Sequence, residues 1–429
     1  MGSGRKISGS RSGPEDSRKG NGFVSNQSCP VLLMLAERFP PDVGGLARSA
    51  YRTAIAVSSL GWGVHVVAWT KTLPSGVLDT VRTVGSGNTG GEIVVHRLGL
   101  FSDQDFSMQY TNNVLEWLHQ EFQFSAVWGH YVYPAGFMAV VFAEFAGLPS
   151  TVSARGNDID RLMYPPGDFA RLIWTLDRAT VVSCVSRDLA GKVEMLMAKR
   201  ITPVVVPNVV DTDVFRPPSG TSGSDLRAVL GISDAEIVLG FCGELRQKKG
   251  LPFILSALAT VQQSRPACLL VIGEVRSRDQ THLAAFAAAH PQAARRVVIT
   301  GYLAQQEDVV RHLQLCDIFL HPSVWDGLPN AILEAMACGR IVLASDAGGI
   351  PEAIVHGTSG FMIPKAQLNH LGTGIMEILG LGETERDQIA VAARQRVLDC
   401  FQKDREAKHL TSLLGQLTAT SSGQQISAS

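Results

Sequence analysis

Two carboxylates with seven residues between them, Asp326 and Glu334, lie in the segment His321-Pro-Ser-Val-Trp-Asp-Gly-Leu-Pro-Asn-Ala-Ile-Leu-Glu-Ala-Met-Ala-Cys-Gly339. The pattern predicts a strand ending near His321, then a loop with Asp326 and Gly327. Pro329 suits the first position of a helix and Gly339 its end. Asp326 then stands ahead of the helix N-terminus and Glu334 projects from its second turn, so spacing alone does not put them on one helical face. Between them, past Leu328 and Pro329, the helix start at Asn330 and Ala331 offers backbone N–H groups without intrahelical partners, a ready site for a diphosphate. The carboxylates can accept hydrogen bonds from sugar and ribose hydroxyls. An arbitrary Asp/Glu pair at this spacing is more often a helix cap and a surface side chain. The strand, loop, Pro, helix and Gly around it point to chemistry here.

Such a site needs a scaffold that delivers strand ends to one edge. Short apolar runs at Val31–Ala36, Val64–Trp69, Ile93–Leu98, Ala126–Trp128, Thr151–Ser153, Val181–Val185 and Val204–Val206 alternate with helical patterns such as Leu46–Ser59, Ala135–Ala146 and Arg187–Met197. A second series follows at Ile237–Cys242, Cys268–Ile272, Val297–Thr300, Ile318–His321 and Ile341–Ser345. Continuous apolar strands separated by helices indicate parallel sheets covered on both faces. Two series predict two doubly wound α/β domains, over residues 29–207 and 208–382, with the seam in a Pro- and Ser/Gly-rich stretch near 207–225. Helices over 383–417 can pack back on the first domain. The Gly/Ser/Lys/Arg-rich residues 1–28 and the Ser/Gln-rich residues 418–429 read as disordered tails.

Composition sets the outer limits. The 429 residues are 45% hydrophobic and 18% charged, an ordinary globular balance, and the formal net charge of -1 gives no field to attract nucleic acid. Seven cysteines form no CxxC pair or Cys/His cluster, which argues against a zinc site and suits a reducing, cytoplasmic setting. The N-terminus lacks the apolar core of a signal peptide, and the longest apolar stretch, Ala135–Ala143, is too short to span a bilayer. Arg187–Arg200 is partly amphipathic with basic ends, which leaves a peripheral membrane contact open, although an ordinary surface helix is the simpler reading. There is no G-x-G-x-x-G after the first strand, no Walker loop and no G-x-S-x-G elbow.

The segment Ser323–Gly339 resembles the acid-x7-acid signature of the retaining GT-B glycosyltransferases of family 4. In that family the first acid, usually Glu, contacts the transferred sugar and the second binds the nucleotide ribose. Asp326 is one methylene shorter than the usual residue. Gly243-Glu-Leu-Arg-Gln-Lys-Lys-Gly250 resembles the family phosphate loop, with Lys249 at the place of the lysine that neutralises the diphosphate. Glu244 stands where the family has arginine, and Arg246 is the nearest substitute cation. Phe39-Pro-Pro-Asp-Val-Gly-Gly45 resembles the N-terminal glycine loop, Gly129-His130-Tyr131 the histidine turn near the reacting sugar, and Ala154-Arg-Gly-Asn-Asp158 a His-Gly-x-Asp loop with arginine for histidine. Pro207–Pro217 resembles the interdomain Pro-Asn-Gly-Val-Asp segment, with Val209 for Gly. Its Asp211-Thr-Asp213 spells a metal-binding DxD, yet it falls within the family's own interdomain pattern.

The resemblance, which covers roughly Val31 to Leu417, implies a GT-B-like fold with two Rossmann-like domains facing a central cleft. It gives His130, Lys249 and Asp326 catalytic roles. Donor contacts fall to Gly44, Gly45, Arg246, Lys249, Asp326, Gly327, Leu328, Pro329, Asn330, Ala331 and Glu334. It implies a nucleotide-diphosphate sugar as co-substrate, no metal or other cofactor, and a sugar, lipid-linked or small-molecule acceptor. Two other classes fit the same pattern: a retaining phosphorylase using inorganic phosphate, and a non-catalytic sugar-nucleotide or glycan-binding protein.

Overall fold

The computed structural model describes residues 29–84, 92–162, 166–218 and 223–424, so the expected tail over 1–28 lies outside the described residues. The first half runs β1 (Val31–Ala36), α1 (Gly45–Ser59), β2 (Gly63–Thr70), β3 (Leu78–Val84), β4 (Glu92–Gly99), α2 (Gln104–Phe122), β5 (Ala126–His130) and α3 (Phe137–Ala146). It continues through β6 (Ser150–Ala154), α4 (Asn157–Leu162), α5 (Pro166–Arg178), β7 (Val181–Cys184), α6 (Arg187–Leu196) and β8 (Val204–Val205). These strands form one sheet in the order β3-β4-β2-β1-β5-β6-β7-β8. Leu32 to Leu35 are buried on both faces of β1, which is why such strands read as unbroken apolar runs.

One strand departs from the parallel pattern expected. β3 pairs antiparallel with β4 at the sheet edge, and its sequence Leu-Asp-Thr-Val-Arg-Thr-Val alternates instead of running apolar. An edge strand with one wet face needs no continuous hydrophobic run, so it left no signal of the kind that marks the others.

The second half runs α7 (Gly223–Val229), β9 (Ile237–Cys242), α8 (Leu251–Gln262), β10 (Ala267–Ile272), α9 (Gln280–Ala289), α10 (Pro291–Ala294), β11 (Val297–Ile299) and α11 (Gln306–Leu313). Then follow β12 (Ile318–His321), α12 (Asn330–Ala337), β13 (Ile341–Ser345), α13 (Ile350–Ala353), β14 (Phe361–Ile363), α14 (Leu371–Gly380), α15 (Glu383–Cys400) and α16 (Lys403–Gln424). The sheet order is β11-β10-β9-β12-β13-β14, parallel throughout. Strand order reverses between β1 and β5 in the first sheet and between β9 and β12 in the second. Ligands bind beyond the carboxyl ends of strands at such reversals. His130 ends β5, and the segments after β1, β9 and β12 bring in Gly44 with Gly45, Lys249, and Asp326 respectively.

The two domains are joined twice. After β8 the chain crosses to the second domain, and after α15, which packs on α12, it returns. The two crossings meet where the Val210 N–H donates to the Phe401 carbonyl at 3.0 Å. α16 lies against the first domain, with Leu410, Leu413, Leu414 and Leu417 in one core with Ala50, Ala54 and Val57 of α1. Each buried leucine contributes roughly 1.5–3 kcal/mol. The helix runs to Gln424, where composition predicts disorder from residue 418; residues 425–429 lie outside the described residues.

Candidate active site

Two loops of the second domain are clipped together at its switch point. Gly250, with φ 84°, lies so close to the next loop that a Cβ there would stand 2.3 Å from the Pro322 carbonyl oxygen. Only glycine satisfies both the backbone and the space. The Val324 N–H donates to the Lys248 carbonyl at 2.9 Å. This brings Lys249 against Asp326, and its Nζ donates to Asp326 Oδ2.

Asp326 is held on all sides. Its Oδ2 also meets His321 Nε2 and Ser323 Oγ, each at 3.2 Å, and its Oδ1 accepts from the Gly327 N–H at 3.1 Å. Burial alone would raise its carboxyl, but Lys249, His321 and Lys248 outweigh it and hold the group well below the usual carboxylate range. His321 sits at the end of β12, nearly inaccessible, and burial followed by the charge of Lys249 keeps its imidazole below its ordinary value.

α12 begins at Asn330 with no side chain capping its N-terminal amides. Pro329 occupies the cap position itself, one residue earlier than the sequence pattern implies, because its ψ of 124° is still extended. Glu334 follows on the second turn and is buried. Arg48 of α1 reaches it across the cleft at 3.6 Å, while its Oε2 is buried without a hydrogen-bond partner. Burial pushes the Glu334 carboxyl up, against the pull of Arg48 and Arg52. A carboxylate with one oxygen unpaired, beside an uncapped helix start, can accept hydroxyl hydrogen bonds next to an anion.

The first domain supplies the opposite wall. Gly44, with φ 130°, caps α1, and a Cβ on either Gly44 or Gly45 would meet nothing within 4 Å, so the backbone there is open to close approach. His130 ends β5 fully buried, with Nδ1 3.5 Å from Arg155 and Nε2 unpartnered. Burial, then the charges of Arg155 and Arg52, keep it well below the ordinary imidazole range. The loop after β6 is folded around Asp158, whose buried carboxylate accepts from the N–H groups of Arg155, Gly156, Ile159 and Val132. That loop touches the second domain directly: a Cβ on Gly327 would stand 2.4 Å from the Arg155 carbonyl.

Several contacts across the cleft were not legible as site features. Asn157 Oδ1 accepts from Trp325 Nε1 at 3.2 Å and from Lys248 Nζ, and the Lys248 ammonium lies 5.2 Å from the Trp325 ring centroid. Burial, then Lys249 and Arg246, bring the Lys248 ammonium down to about 8, despite Asp326. Asn208 Nδ2 donates to the Leu328 carbonyl at 2.6 Å, while its Oδ1 accepts from Arg52 at 3.0 Å and Arg155 at 3.2 Å. Arg155, whose position the sequence left without a role, thus ties the interdomain segment to the His130 wall. Glu352 accepts from the Arg187 and Asp188 N–H groups at 2.6 and 3.2 Å, capping α6 from the other domain.

Other sequence candidates sit elsewhere. Among the described residues Arg246 forms no ion pair with Asp326; it pairs at 3.4 Å with Glu244, whose other oxygen takes Arg276 at 3.4 Å. Asp211 of the DxD pattern is engaged by Lys403 and by the Asp213 N–H. Arg187–Leu196 buries Leu189, Ala190 and Val193 as an ordinary packed helix, and no helix of the described residues is long and apolar enough to cross a membrane.

Comparison with known proteins agrees with this geometry. Residues 43–214 match the family described as Glycosyltransferase Family 4, and residues 236–380 match Glycosyl transferases group 1. The N-acetyl-alpha-D-glucosaminyl L-malate synthase of Bacillus anthracis is 23% identical over 367 residues, 85% of this chain and 92% of that one. Sucrose-phosphate synthase from Thermosynechococcus elongatus shares the fold with a TM-score of 0.75 at 16% identity, over 91% of this chain and 100% of that one. Anabaena HepE, solved in complex with UDP-glucose, gives 0.73 at 18% identity, over 90% of this chain and 99% of that one. With both halves matched, two facing doubly wound sheets, and the paired acids at the second switch point, the chain belongs to the group 1, family 4 glycosyltransferases of GT-B fold.

Proposed function

We propose that the protein transfers a sugar from a nucleoside-diphosphate sugar to an acceptor hydroxyl, with retention of anomeric configuration and without a metal ion. The observation that carries this reading is the convergence of Lys249, the uncapped start of α12 and the unpaired Glu334 Oε2 at one switch point. The diphosphate would lie on the α12 amides near Lys249, and the ribose hydroxyls would meet Glu334. Cleavage of the bond between the anomeric carbon and the β-phosphate oxygen leaves positive charge on the sugar and negative charge on the diphosphate. Lys249, Lys248 and the helix dipole stabilise the latter.

Asp326 is a poor candidate for a covalent nucleophile, since both its oxygens are occupied by four donors. This supports attack by the acceptor oxygen on the face the leaving group vacates. The new bond forms from that oxygen to the anomeric carbon, and its proton passes to the departing β-phosphate oxygen. Glycoside and nucleoside diphosphate are the products. UDP-glucose bound to the HepE relative makes uridine nucleotides the first donors to test. The unpaired cysteines and the nucleotide donor fit a reaction in the cytoplasm.

A thermal-shift screen against nucleoside diphosphates and their sugars, with and without EDTA, tests the reading. A selective, EDTA-insensitive stabilisation by one nucleotide is expected, and proton NMR of the product should give the donor's anomeric configuration. Sugar 1-phosphate formation from inorganic phosphate without nucleotide would instead identify a phosphorylase. Nucleotide binding without turnover on a broad acceptor panel would identify a binding protein.

A further inference from the structure

Arg52, on α1, divides its guanidinium among three partners. Its Nε donates to Glu406 Oε1 of α16, one terminal nitrogen to the Val209 carbonyl and the other to Asn208 Oδ1, each at 3.0 Å. Glu406 lies in the first turn of α16, just past the second crossing between the domains, and is buried. Asn208 and Val209 belong to the first crossing, beside the hydrogen bond from Val210 to Phe401. One side chain of the first domain thus holds both crossings.

From there the contacts continue into the donor site. Arginine only donates, so Asn208 must turn its Oδ1 to Arg52 and Arg155, at 3.0 and 3.2 Å. That fixes the amide with Nδ2 toward the Leu328 carbonyl, to which it donates at 2.6 Å. Leu328 lies between Gly327 and the start of α12 at Asn330. One turn before Arg52 on α1, Arg48 stands 3.6 Å from Glu334 of α12. α1 therefore reaches α12 at two places, the backbone ahead of its first turn through Asn208 and the buried acid of its second turn through Arg48.

An ion pair that only docked α16 would look different. Arginine meets a lone carboxylate best through two parallel N–H groups, whereas here two of the three nitrogens go to the crossing. Leu410, Leu413, Leu414 and Leu417 already seat α16 against α1, and a buried ion pair adds little to such a contact.

We propose that Arg52 and Glu406 are positioning residues of the donor site, acting through Asn208 to hold the backbone ahead of α12 against the first domain. This rests on the nucleotide site proposed above and adds two residues that lie outside it. Glu406 fixes Arg52, Arg52 fixes the Asn208 amide, and that amide holds the Leu328 carbonyl. Loosening the relay lowers the share of molecules with the donor site assembled, and apparent nucleotide affinity falls with that share.

The test is calorimetric titration of the full chain with UDP, GDP and ADP, beside thermal melts of the same samples. Glu406→Gln and Arg52→Lys should each weaken the nucleotide that binds the wild type by about fivefold. Arg52→Lys keeps a cation opposite Glu406 but loses the fork to the crossing, so it probes the relay even where Glu406→Gln fails to fold. The double variant should lose no more than about fivefold, because both changes break one chain of contacts. Leu413→Ala, in the apolar contact between α1 and α16, should lower Tm while changing affinity less than about twofold. Affinity within about twofold of wild type in Arg52→Lys, a multiplied loss of about 25-fold in the double variant, or an equal loss in Leu413→Ala overturns the relay and leaves the nucleotide site standing. Absence of binding by all three nucleotides in the wild type removes the nucleotide site, and the relay with it.

Discussion

Lys249 and Asp326, 77 residues apart in the chain, meet as an ion pair at the end of the second sheet's switch point. The two groups assigned to opposite ends of the donor neutralise each other in this structure. A bound diphosphate must compete for the ammonium, and His321, Ser323 and the Gly327 N–H keep the carboxylate in place when it does.

Lys249→Ala should lower kcat/KM for transfer by about 10²–10³, the cost of removing one preorganised charge from the leaving-group side. It should also destabilise the fold by stripping a buried carboxylate of its main partner. Because the Asp326 carboxyl is depressed, its stabilisation holds above the unfolded carboxyl value and is lost as pH falls toward the folded one. The variant should therefore show a shallower loss of stability in acid. Near wild-type turnover in steady-state assays would remove Lys249 from the phosphate site.

Glu334→Gln should separate stability from function. The carboxyl is raised by burial, so in the free protein it gains stability as pH falls through its folded value toward the unfolded one, and costs stability at neutral pH. The amide should raise Tm at pH 7 while weakening nucleotide affinity about tenfold. Calorimetry and titration on the same preparation check both signs; unchanged affinity would contradict the ribose assignment.

Asn157→Ala removes the acceptor shared by Lys248 and Trp325 across the cleft. Donor KM should rise roughly three- to tenfold and the share of donor lost to hydrolysis should increase, because closure excludes water. Chromatographic separation of free sugar from glycoside measures that share. An unchanged ratio would mean the contact does not govern closure.

His130 should contribute no inflection to the pH–rate profile between pH 6 and 8. Burial and two arginines hold its imidazole neutral well below 6.5. Comparison with His130→Gln by histidine C–H NMR titration isolates its signal, and an imidazole titrating near 6.5 would refute the assignment.

The strands buried on both faces were legible because parallel sheets demand unbroken apolar runs, as in Leu32–Leu35 and Leu269–Ile272. β3 was not, since an edge strand can alternate. The acid pair and Lys249 were legible from motif and order, but their contact depends on Gly250 packing against Pro322, a tertiary fact. In the sequence His321 marked only the end of a strand; the fold shows its ring beside Asp326. Arg155, Asn157 and Asn208 act through partners 25 to 168 residues away, and no local pattern encodes such distances.

The hydrogen bond from Val210 to Phe401 has a mechanical consequence. Two covalent crossings pinned side by side behave as one hinge pin, not as two independent tethers. Rotation about the pin remains soft, whereas sliding of one domain past the other would have to break the pin. The two crossings therefore move together, and any opening of the cleft that keeps this hydrogen bond is a rotation about it.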